Sequence, residues 1–435
     1  LSKSPRGEAF GIYATTYILA PNSSIAIENR GDISVEAGFG ATGILAVTGG
    51  ASSPIAIYNK GDITVVATSP YGLSNGINAR SFSLGSNVAI INKGSIDAGT
   101  YAIAAFGLYS DVAVNNSGPL TAGVDGIYAS GRYGNIAIVN DGPIEAGYHG
   151  IHAGDCQGPL CFVGDVAITN TGSVKAGQIG ILALTFASDG SSPYGGNAGD
   201  GGNIAVVNQG TVEGGFAGIV ATAAGNNSAV TIVNAGTVKG GATGIYAVTG
   251  IETFIPCGCY YGPPIFIPSG YGNNSPLTII NSGIIDPDIG ISALTLGANS
   301  PIEIKNSGKI EATFTGIAAA TYGAGSGINI VNSGSLLPRT SPLRCGQEGP
   351  ATGSTATTLR ASRPMAAITS TTSTATSRRS TSSRASTSAR GVCSLTTTSW
   401  CSGPLAASSI QTSTMTPSTA SSASTADRSA AMPPI

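Results

Sequence analysis

Two aliphatic side chains, separated by one residue, precede an asparagine eleven times along this chain, and a glycine follows each asparagine two places later. The asparagines are Asn29, Asn59, Asn92, Asn116, Asn140, Asn170, Asn208, Asn234, Asn281, Asn306 and Asn332. The paired positions, such as Ile25 and Ile27, Val88 and Ile90, or Ile328 and Ile330, hold only Ile, Val or Leu. Such alternation predicts a short strand with one buried face. Four residues after the Asn another aliphatic recurs, at Ile33, Ile63, Ile96, Leu120, Ile144, Val174, Val212, Val238, Ile285 and Ile310, which marks a second strand. About ten residues after the Asn comes a Gly-Ile-x-Ala signature, as in Gly126-Ile127-Tyr128-Ala129, Gly150-Ile151-His152-Ala153 and Gly244-Ile245-Tyr246-Ala247, which marks a third.

Three strands per repeat, with the Ile and the small residue two further on pointing inward, describe one coil of a solenoid with a narrow interior. The predicted fold is therefore all-β, a parallel right-handed β-helix. Eleven rungs at about 4.8 Å each give a rod on the order of 50 Å long. The Asn and its Gly read as a corner, with the Asn suited to left-handed backbone and the Gly to positive φ. Stacked inward-turned amides are expected to bond from rung to rung as a structural ladder.

Successive asparagines lie 24 to 47 residues apart, and the excess falls almost wholly after the third strand, so the insertions are expected to leave from one corner. Loops on one edge of a rigid scaffold are suited to recognition. The longest inserts run from about Leu184 to Asn203 and from about Val248 to Pro276. The first carries a glycine-rich run, Gly195 to Gly202, with a single faint likeness to a calcium-binding nonapeptide; such sites need tandem copies, so it reads as a linker. The second carries Phe254, Tyr260, Tyr261, Phe266 and Tyr271 among four prolines. These rings are the candidate binding residues, suited to stacking on sugar or docking a protein, or else to packing against the rod.

Composition sharpens this picture. Charged residues are only 10% of the chain and Gly reaches 63, in keeping with stacked strands and tight corners. No apolar run approaches the roughly 18 residues of a membrane helix, and no leader follows Leu1, so the chain reads as starting inside a longer protein. Cys156 and Cys161 bracket one insertion and Cys257 and Cys259 lie in another, which suits disulfides in an oxidising compartment. A four-Cys zinc site is disfavoured by spacing. The only histidines are His149 and His152, and His152 takes the outward place held by Tyr128 and Tyr246 elsewhere, so it reads as a surface residue. Asp286 and Asp288 flank Pro287, which argues for a corner over a catalytic pair. No catalytic set, metal centre, cofactor or nucleic-acid partner is expected. The place five after the Asn reads Glu145, Lys175, Glu213, Lys239, Asp286, a ladder of alternating charge between rungs.

The repeat occupies residues 1–335; residues 336–435 differ. They hold no Asn, Tyr, Phe, Lys or His, and nine Arg against one Glu and one Asp. A tract of Ser, Thr and Ala cannot build a core and is expected to be disordered. Its residue types are those that a one-base shift would produce from Asn-, Phe- and Ser-rich repeat, so the tail reads as out-of-frame translation. That reading stands only if another frame of the gene restores the repeat downstream of Ser335.

Units such as Ile136-Ala137-Ile138-Val139-Asn140-Asp141-Gly142-Pro143-Ile144, closed by Gly150-Ile151-His152-Ala153, resemble the passenger repeats of bacterial autotransporters, the haemagglutinin-like or adhesin-like surface proteins of Gram-negative bacteria. The resemblance spans about residues 8–335. It implies export to the cell surface or beyond through a C-terminal outer-membrane β-barrel translocator, of which this sequence carries no strands. The expected role is structural or adhesive and not enzymatic, with glycan or a host surface protein bound through the one-sided loops. The alternative is a β-helical polysaccharide-cleaving enzyme, which should show clustered Asp, Arg, Lys or His on one face of adjacent rungs.

Overall fold

The computed structural model describes residues 2–4, 7–17, 19–69, 71–154, 164–185, 201–255, 265–268 and 272–338, with residues 251–255 and 265–268 described as backbone only. All of them belong to one unit, Leu1–Ala367. Their strands form three parallel sheets of 11, 12 and 11 strands and a separate two-stranded hairpin, and, the hairpin aside, within each sheet every third strand of the chain lies beside the next. This is a parallel β-helix with three strands per rung.

The register follows the repeat. First strands align Asn on Asn, as in Asn116↔Asn140↔Asn170. Second strands align Leu120↔Ile144↔Val174, and third strands align Ile127↔Ile151↔Ile181. The aliphatics at these places form one continuous core along the rod. The last second strand, Ser335–Pro338, sets Leu336 against Ile310, so the repeat's register runs slightly past residue 335. The rest of the tail lies outside the described residues.

Each ladder Asn donates from Nδ2 to Oδ1 of the Asn in the next rung at 2.6–2.9 Å, without interruption from Asn29 to Asn332. The same Nδ2 also reaches the carbonyl of the Gly two places on, as Asn140 does to Gly142 at 2.9 Å. Both polar atoms of a buried amide are thus satisfied inside the rod.

The expected reason for the corner glycine is corrected by the backbone. No ladder Asn and no Gly of the Asn-x-Gly triplets has positive φ. Glycine is needed there because rungs approach closely: a Cβ on Gly142 would lie 2.3 Å from the Gly118 carbonyl oxygen, and one on Gly118 2.0 Å from that of Gly94. Left-handed backbone occurs at the insertion corner instead, at Asn22, Ser52, Gly85, Tyr109, Tyr133, Asn227, Asn274, Asn299 and Gly325. The residue after each is Ser or Gly. In two stretches, from Ser23 to Ser110 and from Ser228 to Ser326, the serine Oγ accepts the backbone N–H of the serine one rung before, as in Ser53→Ser86→Ser110 at 2.9 Å and Ser275→Ser300 at 3.0 Å. This second ladder closes the third corner.

The charge ladder pairs at alternate steps, Lys175 with Glu145 at 3.5 Å and Lys239 with Glu213 at 3.9 Å. Both pairs are exposed and contribute little to stability. Asp286 ends a second strand with Pro287 following it, as the corner reading requires. Within the second long insert, Ile251–Ile255 and Ile265–Pro268 pair antiparallel as a hairpin with Phe254 opposite Phe266. No helix of the described residues is long and apolar enough to cross a membrane.

Candidate functional site

Insertions vary in length, but the third strands stay in register, so residues far apart in sequence stack into columns. The place before the Gly-Ile pair reads Asn75, Tyr101, Asp125, His149, Ile179 in successive rungs. The outward place after the Ile reads Asn78, Ala104, Tyr128, His152, Leu182, Val220, Tyr246. Polar and aromatic groups therefore gather in the middle rungs, and an apolar cluster of Leu182, Leu184, Ala217 and Val220 continues beside them.

At the centre of this face Asp125 sits between two imidazoles. Its Oδ1 lies 3.0 Å from His149 Nδ1 and its Oδ2 lies 3.1 Å from His152 Nδ1. Oδ1 also accepts the backbone N–H of His149 at 3.2 Å. The side chains are 4% exposed for Asp125, 10% for His149 and 12% for His152, so the group is largely withdrawn from water. Burial alone would raise the pKa of Asp125, but hydrogen bonds and charge interactions with the two histidines outweigh it. The carboxyl is held well below the usual carboxylate range.

Aromatic rings brace the cluster. Tyr128 meets His152 edge-on at 5.1 Å, Tyr148 meets His149 at 4.2 Å, and Tyr101 stacks on Tyr128 at 5.3 Å. His152 Nε2 is buried without a hydrogen-bond partner. Two rungs earlier, Asn78 accepts from Arg80 at 2.9 Å and Asn75 Oδ1 is likewise buried without a partner.

At the insertion corner of adjoining rungs, Tyr109 and Tyr133 stack face to face, centroids 4.7 Å apart and planes within 11°, with Arg132 over the Tyr133 ring at 5.7 Å. Both tyrosines hold φ near +60°, where other rungs place Asn, Ser or Gly. Bulky side chains in that region carry strain of order 1–3 kcal/mol each.

His152 is thus corrected from a surface residue to a member of a half-enclosed cluster with His149 and Asp125. One donor atom from each residue lies within 4.8 Å of the others, an arrangement of donor types that N₂O ligation or proton exchange between imidazole and carboxylate would use. The sequence reading missed it because Asp125 and His149 are 24 residues apart, yet both lie nine after a ladder Asn, and aligning on that Asn brings them together. The candidate loop rings fall elsewhere. Tyr260, Tyr261 and Tyr271 lie outside the described residues, as do Cys156, Cys161, Cys257 and Cys259; Phe254 and Phe266 lie in the hairpin, described as backbone only. The chain matches no protein-family model, no curated protein and no solved structure.

Proposed function

We propose that this chain is a surface-displayed β-helical rod of the autotransporter passenger type, structural along its body and adhesive toward glycan at its insertion corner. Export through an outer-membrane β-barrel to the surface of a Gram-negative cell belongs to this reading. The observation that carries it is the stacked pair Tyr109 and Tyr133 in left-handed backbone. Strain retained where Asn serves in other rungs calls for a use of the rings, and flat aromatic faces beside Arg132 suit the faces and hydroxyls of a sugar.

Replacing both tyrosines by Asn in the full chain removes the rings and relieves the backbone together. Glycan-array binding is expected to disappear while the unfolding midpoint holds or rises. Undiminished binding by that variant would refute the role of this corner.

A polysaccharide-cleaving enzyme remains as the second reading, favoured by Asp125, His149 and His152 on one face of adjacent rungs. The cluster holds one carboxylate, whereas glycoside hydrolysis by the common route uses two. Measuring new reducing ends on the same glycans separates the two readings.

A further inference from the structure

We propose that Asp125, His149 and His152 form a binding site for a divalent transition-metal ion of the zinc class. The proposal is independent of glycan adhesion, since it concerns a different set of atoms and is read out without any glycan.

Two imidazoles and a carboxylate are the donor types that zinc, nickel and cobalt share. Metal–ligand bonds of about 2.0–2.1 Å in a tetrahedron put neighbouring donors roughly 3.4 Å apart. Asp125 Oδ1 stands 3.0 Å from His149 Nδ1 and Oδ2 3.1 Å from His152 Nδ1, and one donor atom of each residue lies within 4.8 Å of the others, so the three donors are close enough to converge on one ion. The alternative arrangement keeps Nδ1–H of His152 on the carboxylate and turns its Nε2 to the ion, the pattern in which a carboxylate orients a ligating histidine. The buried Nε2 of His152, which has no partner, is the lone pair such an ion would use.

The scaffold is rigid where it matters. Asp125 and His149 are direct partners in adjacent parallel strands, and His152 follows on the same strand as His149. Tyr128 and Tyr148 pack edge-on against the two imidazoles. Folding itself does not require the cluster, because the next rung fills the same two places with Ile179 and Leu182. A largely buried polar trio around an ionised carboxylate costs more to desolvate than those aliphatics, so its presence at one place in the rod asks for a ligand. A trio that only shares protons is the competing account, and metal binding separates the two.

The test uses the untagged full chain, stripped with chelator and then titrated with Zn²⁺ by calorimetry and with Co²⁺ by absorption. The variants H149I and H152L copy the neighbouring rung, so they should keep the β-sheet signal and the metal-free unfolding midpoint. Wild type is expected to bind one equivalent, with a tetrahedral cobalt spectrum free of a thiolate charge-transfer band. Each variant should lose more than about 100-fold in affinity, beyond what removal of an outer-shell partner costs. Binding that survives in both variants, a thiolate band pointing to the cysteines, or no binding by wild type would each overturn the assignment.

Discussion

Replacing Asn140 by Ala tests the amide ladder at its middle. Asn140 is fully buried and takes part in three side-chain hydrogen bonds: Nδ2 to Gly142 O at 2.9 Å, Nδ2 to Asn170 Oδ1 at 2.8 Å, and Oδ1 from Asn116 Nδ2 at 2.9 Å. A net intramolecular hydrogen bond is worth about 1 kcal/mol, and each buried group left unpaired costs about 1–3 kcal/mol. The truncation strands Asn170 Oδ1 without its ladder donor and halves the partners of Asn116 Nδ2, so the expected loss is about 3–5 kcal/mol. Asn332, in the last rung, is exposed, and its removal should cost only about 0.5–1.5 kcal/mol. Because solenoid rungs couple mainly to their neighbours, amide exchange in Ile136–Asn140 and Val166–Asn170 should be read alongside urea unfolding of the full chain. Equal losses for the two variants, or a loss below about 1 kcal/mol for Asn140→Ala, would remove the ladder from the account of stability.

Two further outcomes follow from the corners and from burial. Gly142→Ala should destabilise by about 1–3 kcal/mol, because its Cβ meets backbone of the neighbouring rung at 2.3 Å. Gly85→Asn, at φ +66° with only an ordinary contact to Ser52 Oγ at 3.8 Å for the new Cβ, should cost under about 1 kcal/mol; urea midpoints compare the two. Tyr246 is pushed up to about 12 by burial. Its neutral form is the one the fold favours, so the stability it lends is complete below pH 10 and is lost as pH rises toward 12. Tyr246→Phe should flatten that alkaline decline in thermal melts at a pH series, and an unchanged slope would contradict the burial argument.

The rungs were legible in sequence because strand alternation and the Asn-x-Gly spacing repeat regardless of what the insertions do. Ile138, Ile144 and Ile151 could be assigned inward on periodicity alone, and all are buried. The Asn ladder followed from stacking. Its corner geometry did not, because Gly serves equally for positive φ and for close backbone approach, and only the rung spacing separates these uses. The serine ladder and the left-handed corner lie next to insertions of variable length, where no period survives. The Asp125, His149 and His152 cluster combined both difficulties: its members come from two repeats, and their partnership exists only once the third strands are in register.

Concentration of the longest insertions at a single corner, with further extra residues only between the second and third strands of the first two rungs (Ile33 to Ile44 and Ile63 to Ile77, against Ile96 to Ile103), has a consequence for how such a molecule can change over generations. The shortest separation between ladder asparagines is 24 residues, seen at Asn92 to Asn116 and Asn116 to Asn140. Duplication or loss of one whole unit leaves all three sheets and the amide ladder continuous and alters reach by about 4.8 Å. Loss of part of a unit breaks all three sheets at once. Reach is therefore a quantised trait, inherited in whole coils, whereas the insertion corner can drift residue by residue without disturbing the coil beneath it.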